Sequence, residues 1–277
     1  MSSRRTRLAV LGAPIAHSLS PRIHAAAYRE LGLAWEYSAI EMTGEELPGF
    51  VGALDEGWRG LSLTMPLKRD ILPLLDSRHP MVDRVGAANT VLLSDDGVRG
   101  FNTDVRGAVE AFTEAGVTGL QSVHILGSGA TAASLLVAAA ELGASSAIVS
   151  ARTPERASSL VALGEQEGVD VVVRPWGVSD RSLRIPDAVI STVPGSGSDL
   201  VFPDAVRQAS VLFDVAYDPW PTSLAEAWAA AGGRVISGLD LLVNQAVGQI
   251  RVFVAGDLEQ PLPNESAVID AMRAALA

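Results

Sequence analysis

The stretch HILGSGATAAS, His124–Ser134, decides the fold. It sets Gly127-x-Gly129-x-x-Ala132 directly after the apolar run SVHIL and at the head of an alanine-rich segment of helical spacing. A strand, a glycine turn and a helix in that order make the unit that grips the pyrophosphate of a dinucleotide. Gly127 permits the tight turn, Gly129 lets backbone approach an anion, and the helix N-terminus offers free N–H groups. An ordinary glycine turn would use the same residues, so the motif needs a second signal.

The next strand supplies one. NAD-binding units carry an acidic residue about 20 positions further on, where it accepts from a ribose hydroxyl. Here that strand ends Ser150-Ala151-Arg152-Thr153, with Arg156 a turn later. A guanidinium forks onto a phosphate with charge-assisted hydrogen bonds. Arg152 and Arg156 therefore predict NADP rather than NAD, against the bland reading of two solvated surface charges.

Outward from this unit, short β-branched runs alternate with Ala/Leu-rich segments. SVHILG, SAIVSA, VDVVVR, DAVIST, SVLFDVAY and RVIS read as strands; Ala130–Leu142, the segment from Pro154 and Leu224–Ala231 read as helices. The first part of the chain does the same, with RLAVLG, a helix opening at Pro21, WEYSAIE, EELPGFVGALDEG and GLSLTM. The pattern predicts α/β architecture with largely parallel sheets: an N-terminal α/β domain followed by a Rossmann-like domain. Val105, Val109 and Phe112 predict a helix joining the two. From Gly238 onward the segments are helical with no strand after them, so they should pack back on the first domain to bury their apolar faces. The expected domains are 1–104 with 238–277, and 105–237.

A length of 277 residues suits two cores. The formal charge of −11 argues against nucleic acid or an anionic membrane as partner. No apolar run reaches the roughly 20 residues that a membrane span needs. The absence of cysteine removes disulfides, thiolate catalysis and cysteine zinc sites, and fits a reducing cytoplasm. Ser3-Arg4-Arg5 before LAVLGAPIA also fits a twin-arginine export peptide, but Gly12 and Pro14 break the run, and a first strand feeding a functional turn accounts for it.

That turn, LGAPIAHSLSPRIH (Leu11–His24), has neither a nucleophile elbow nor a recognised zinc spacing, and no metal site is expected. Ser20-Pro21 reads as N-cap and first helical residue, with Gly32 closing the helix. Ser18 and Ser20 put two hydroxyls beside free backbone N–H groups, which suits a carboxylate. Lys68 behind Pro66 and Asp104 before Val105 each have an ordinary reading, a solvated lysine and a helix cap.

The segments GAPIAHSLSPRIH, LSLTMPLK, GAANTV, FNTD, GSGAT, ARTPER, STVP, DVAYDPWPTSL and GLDLLVNQA stand in the order, and near the spacing, of the shikimate/quinate dehydrogenase family, which the chain resembles from Gly12 to Gln245. The resemblance implies an NADP-dependent shikimate dehydrogenase that interconverts 3-dehydroshikimate and shikimate. It implies Lys68 and Asp104 as the catalytic pair, and Ser18 and Ser20 on the substrate carboxylate. It also implies Thr64, Asn89, Gln245 and Tyr217 around the ring, with Asp104 among the substrate contacts. Gly127, Ser128, Gly129, Ala130, Thr131, Ala151, Arg152, Thr153 and Arg156 match cofactor contacts, and Val215 and Gly238 flank the nicotinamide. No role falls to His17, His24, His79 or His124. The sequence departs from the family at Ala25, Ser62 and Ala151, each usually Asn, at Ala130 in the glycine loop, and at Asp240. The rival readings are a quinate/shikimate dehydrogenase using NAD and a non-catalytic cofactor-binding regulator; monomer and homodimer are both open.

The chemistry suits these residues. Reducing a ketone places hydride on carbon while charge builds on oxygen, so a cation or proton donor must stand there. An ammonium group fills that role, with a nearby carboxylate fixing its position, and in the oxidation direction either the neutral lysine or the aspartate takes the hydroxyl proton.

Overall fold

The computed structural model describes residues 6–177, 185–194 and 200–277. The Ser3-Arg4-Arg5 export reading lies outside them. The chain forms two compact units, one running up to Thr103 together with Leu242–Ala277, the other Asp104–Leu241.

The first unit opens with β1 (Arg7–Gly12), α1 (Ser20–Glu30), β2 (Glu36–Glu41), α2 (Leu47–Gly52) and β3 (Trp58–Leu63). It continues through α3 (Leu67–Asp70), β4 (Ser77–Arg78), α4 (Pro80–Val85), β5 (Thr90–Ser94) and β6 (Gly97–Phe101). Its sheet has the order β2-β1-β3-β5-β6-β4. β1 pairs parallel with β2 and β3, but β3–β5 and β5–β6 are antiparallel, so the sheet is mixed rather than largely parallel. The β5–β6 hairpin escaped the reading of alternation, although its signal was present. Asp95-Asp96 form a two-residue loop before Gly97, whose φ of +101° only glycine adopts readily. The hairpin places Asn89, just before β5, beside Phe101 at the end of β6, with Asn89 N donating to Phe101 O at 3.0 Å.

Two further differences concern helix starts. α1 begins at Ser20 itself, because Leu19 already has right-handed helical backbone and its carbonyl accepts from both Arg22 N and Ile23 N. Ser20 is therefore a first-turn residue and not the N-cap. Gly32, at φ +66°, closes the helix as expected. The segment from Pro154 starts as a 3-10 turn, Pro154–Ala157, before the α-helix.

The second unit runs α5 (Asp104–Glu114), β7 (Ser122–Leu126), α6 (Ala130–Glu141), β8 (Ser146–Ala151), α7 (Ser158–Glu167) and β9 (Asp170–Pro175). It continues with β10 (Ala188–Ser191), α8 (Asp204–Ala209), β11 (Val211–Asp214), α9 (Ser223–Ala230) and β12 (Val235–Ser237). Every pairing is parallel, in the order β12-β11-β10-β7-β8-β9. That is the doubly wound dinucleotide-binding order, with its switch point between β7 and β10. Ile125, Leu126, Val189, Ile190, Leu212 and Phe213 are buried, as strands covered by helices on both faces require.

Two helices follow, α10 (Gly238–Ala255) and α11 (Glu265–Ala274). α10 crosses the unit boundary, and its later turns complete the first unit's core. A Cβ on Gly60 of β3 would meet the Phe253 ring and Val91 O at 2.5 Å, so glycine is what lets α10 lie against the sheet. α11 packs on α1, and Arg251 ties it to α10 through a paired hydrogen bond to both oxygens of Glu265.

Candidate active site

In the first unit the site residues gather at the C-terminal ends of β1 and β3. Thr64 N donates to Leu11 O at 2.9 Å and Ala13 N to Met65 O at 2.9 Å, which ties the serine-bearing turn to LTMPLK. The approach is close enough that a Cβ on Gly12 would sit 2.4 Å from the Thr64 methyl group. Ser20 is buried and Ser18 half-buried, with Ser20 N donating to Ser18 Oγ at 3.4 Å. Lys68 lies in the short helix α3 and is only 9% exposed, which overturns the reading of a solvated lysine. Its carbonyl accepts from Ala88 N at 2.8 Å, next to Asn89.

Asn89 is the hub. Its side-chain amide donates to Thr103 Oγ1 at 2.9 Å and to Gln245 Oε1 at 3.4 Å, while its Oδ1 accepts from Thr103 N and Thr90 Oγ1. Gln245 Nε2 in turn donates to Leu242 O at 2.8 Å. Hairpin and α10 thus bring Asn89 and Gln245 together from opposite ends of the chain. A second polar layer lies beneath. Gln249, one turn beyond Gln245, donates to Asn89 O and accepts from Ser62 Oγ, which itself accepts from Tyr37.

His24 belongs to this layer. Fully buried, it stacks on Tyr37 at 3.9 Å and bonds Gln249 and Tyr28 through its two ring nitrogens. Burial lowers its pKa to about 3, partly offset by the Gln249 bond, so the ring is neutral. The remaining histidines lie outside this layer. His79 caps α4 by accepting from Met81 N, His124 bonds Ser150 Oγ at 2.8 Å, and His17 is exposed. Sequence reasoning missed Gln249, Tyr37 and Thr103. The i, i+4 spacing of Gln245 and Gln249 on one helix face was the available signal for Gln249.

In the second unit, Gly127 follows β7 with φ +108°, and its N–H donates to Ser150 O at 2.9 Å. A Cβ there would strike Thr192 Oγ1, 2.4 Å away, where Thr192 leaves β10 at the switch point. Gly129 is the cap of α6 and has open space where a Cβ would stand, which fits a loop made to face a pyrophosphate. Ser128, Ala130 and Thr131 continue the loop into α6. Arg152, Thr153 and Arg156 are exposed beyond β8, and the Arg152 guanidinium lies over the Trp176 ring at 5.7 Å. Ala151 is buried and its carbonyl accepts from Trp176 N, so no side chain is offered there.

Val215 and Gly238 meet beyond β11 and β12, with Tyr217 two residues after Val215 in the same loop. A Cβ on Gly238 would lie 2.2 Å from Val215 O, so only glycine admits this approach. The loop is pinned by Asp214, whose carboxylate accepts from Thr222 Oγ1 and Ala216 N; burial raises its pKa, and these bonds work against that rise. Asp240, a departure from the family pattern, accepts from Ser237 N at the head of α10. Asp104 is buried as the first residue of α5, directly after Thr103.

No helix among the described residues is long and apolar enough to cross a membrane, and no metal-binding group of His, Cys, Asp or Glu is found among them. Residues 10–91 match the shikimate dehydrogenase substrate binding domain. The NADP(+)-dependent shikimate dehydrogenase of Thermus thermophilus is 35% identical over 277 residues, covering 98% of both chains. The crystal structure of Mycobacterium tuberculosis shikimate dehydrogenase is 39% identical, covers 97% of this chain and 99% of its own, and superposes with a TM-score of 0.83. The Thermus thermophilus enzyme solved in complex with NADP(H) and shikimate is 33% identical, covers 98% of this chain and 99% of its own, with a TM-score of 0.81.

Proposed function

The chain belongs to the shikimate dehydrogenase family, and from that premise we propose that it catalyses the NADP-dependent, reversible reduction of 3-dehydroshikimate to shikimate, a step towards chorismate and the aromatic amino acids. The observation that supports this reading is the buried Asn89–Thr103–Gln245 cluster, whose polar groups lie next to the carbonyl of Lys68 through Ala88 N.

The residues divide by chemistry. Ser18 and Ser20 hold the substrate carboxylate, and Thr64, Asn89, Gln245 and Tyr217 take the ring hydroxyls. Lys68 delivers a proton to the substrate oxygen as charge builds there, with Asp104 supplying the balancing carboxylate. When bound, NADPH supplies the hydride. The loop Gly127–Thr131 faces the pyrophosphate, Ala151 offers backbone only, and Arg152, Thr153 and Arg156 take the 2′-phosphate. Val215 and Gly238 flank the nicotinamide. The fit rests on the open space at Gly129 and the exposed guanidiniums beyond β8. Cytoplasmic residence and a monomeric or homodimeric state belong to the same proposal.

The test crosses shikimate and quinate with NADP and NAD while following the near-ultraviolet absorbance of the reduced nicotinamide. Fastest turnover with shikimate and NADP is expected. Preference for quinate with NAD, or no turnover with any pair, overturns the reading.

A further inference from the structure

We infer that Gln249 is a positioning residue for substrate binding, acting through Asn89; the inference rests on the shikimate dehydrogenase reading above. The argument starts from donors and acceptors. Asn89 O is a main-chain carbonyl and can only accept, so the Gln249 group 3.2 Å from it is the amide NH₂. Gln249 Oε1 must then accept, and it does so twice, from Ser62 Oγ at 2.8 Å and from His24 Nε2 at 3.2 Å. That fixes the His24 tautomer: the proton is on Nε2, and Nδ1 accepts from the Tyr28 hydroxyl at 3.0 Å. Burial pushes the Tyr28 phenol upward, which keeps it a donor. Ser62 has its own oxygen filled by Tyr37 OH at 2.7 Å, so its proton points at Gln249.

One arrangement of protons satisfies this whole layer. Four side chains from α1, β2 and β3 therefore hold the Gln249 carboxamide in a single orientation, and that orientation serves Asn89 O, which also accepts from Leu63 N at 2.8 Å. Leu63 directly precedes Thr64, and Gln245 lies one turn before Gln249 on α10. Three proposed substrate contacts, Thr64, Asn89 and Gln245, are thereby referred to one amide whose own bonds run to His24, Ser62 and Asn89 O. A buried network with every member satisfied rigidifies what it holds, and losing one member leaves the others unpaired.

The test is calorimetric titration of shikimate into the protein without cofactor, together with steady-state kinetics. Gln249→Leu should raise the shikimate Kd and KM about tenfold, as loss of one buried hydrogen bond with its partners left unpaired implies. The KM for NADP should stay within about twofold, since the second unit's loop is untouched. Arg251→Ala is the control for mere stability. It breaks the α10–α11 ion pair, should lower the melting midpoint, and should leave the shikimate Kd unchanged. Should Gln249→Leu fail to fold, His24→Phe, which keeps the stacked ring but removes the N–H, should still raise the shikimate Kd about threefold. The inference is overturned if the variant that folds binds shikimate like wild type, or if Arg251→Ala weakens binding equally. Failure of the wild-type protein to bind shikimate is a different result and overturns the functional reading instead.

Discussion

In the first unit the side chains assigned to the substrate are mostly buried and bonded to one another, whereas in the second the arginines assigned to the cofactor stand exposed beyond a glycine-rich backbone loop. The contrast follows from the ligands. A small ring with one carboxylate and several hydroxyls is told from its relatives by hydrogen bonds of fixed direction, and fixed direction needs packing around the donor. A long anion is held by charge and by backbone N–H groups at a helix end, which need less enclosure. Mutations at the first unit's site residues should therefore act on substrate geometry, and those at the second unit's glycine loop and arginines on cofactor affinity.

The largest expected effect lies in the first unit. Lys68→Ala should lower turnover by about three orders of magnitude, the range for losing a positioned proton donor, with shikimate binding still measurable by calorimetry. Near-normal turnover would break the assignment. In the second unit, replacing Arg152 and Arg156 together by Ala should cut kcat/KM with NADP about a hundredfold and leave NAD within a few-fold, because only the charge-assisted bonds to the 2′-phosphate are lost. An equal loss with both cofactors would place the guanidiniums elsewhere. Smaller still, Gly127→Ala forces an unfavourable φ and a clash with Thr192, and should weaken NADP about tenfold while the shikimate Kd stays put.

The last effect is on stability and touches both units. Burial, aided at His124 by the charge of Arg174, holds His24 neutral down to about 3 and His124 down to about 4, against an ordinary imidazole near 6.5. An unfolded chain takes up both protons as pH falls through about 6.5, and the folded chain does so only near those lower values. Stability is thus full above about 6.5 and declines between there and about 3 to 4, with a slope on the order of 1 kcal/mol per pH unit for each histidine. Urea midpoints across that range check the slope, and His24→Phe should make it shallower.

The second unit was legible almost strand by strand, because a parallel sheet with helices on both faces writes each strand as a short apolar run between helices. The first was read less well. Its β5–β6 hairpin is short and mixed in polarity, and GAANTV and FNTD stood out only through the family resemblance, without showing that a hairpin brings them together. Ser20 looked like an N-cap because Ser-Pro usually is one, but helical backbone already begins at Leu19. Lys68 was recognisable by motif and its burial was not, since a four-residue helix leaves no periodicity to read. Gln249 was hidden for another reason: its i, i+4 spacing from Gln245 sets both on one helix face, but the partners that consume its hydrogen bonds come from distant segments that the sequence does not bring together.

The placement of α10 has a consequence for synthesis on the ribosome. The second unit is one uninterrupted stretch of chain, and its sheet can be complete when Ser237 emerges. The first unit is split around it, and Gln245, Gln249 and the Arg251–Glu265 link are among the later residues to appear. Until then the hairpin carrying Asn89 has no helix to cover it. The cofactor half is thus in a position to mature first during translation, while the older half of the nascent chain waits for its missing wall.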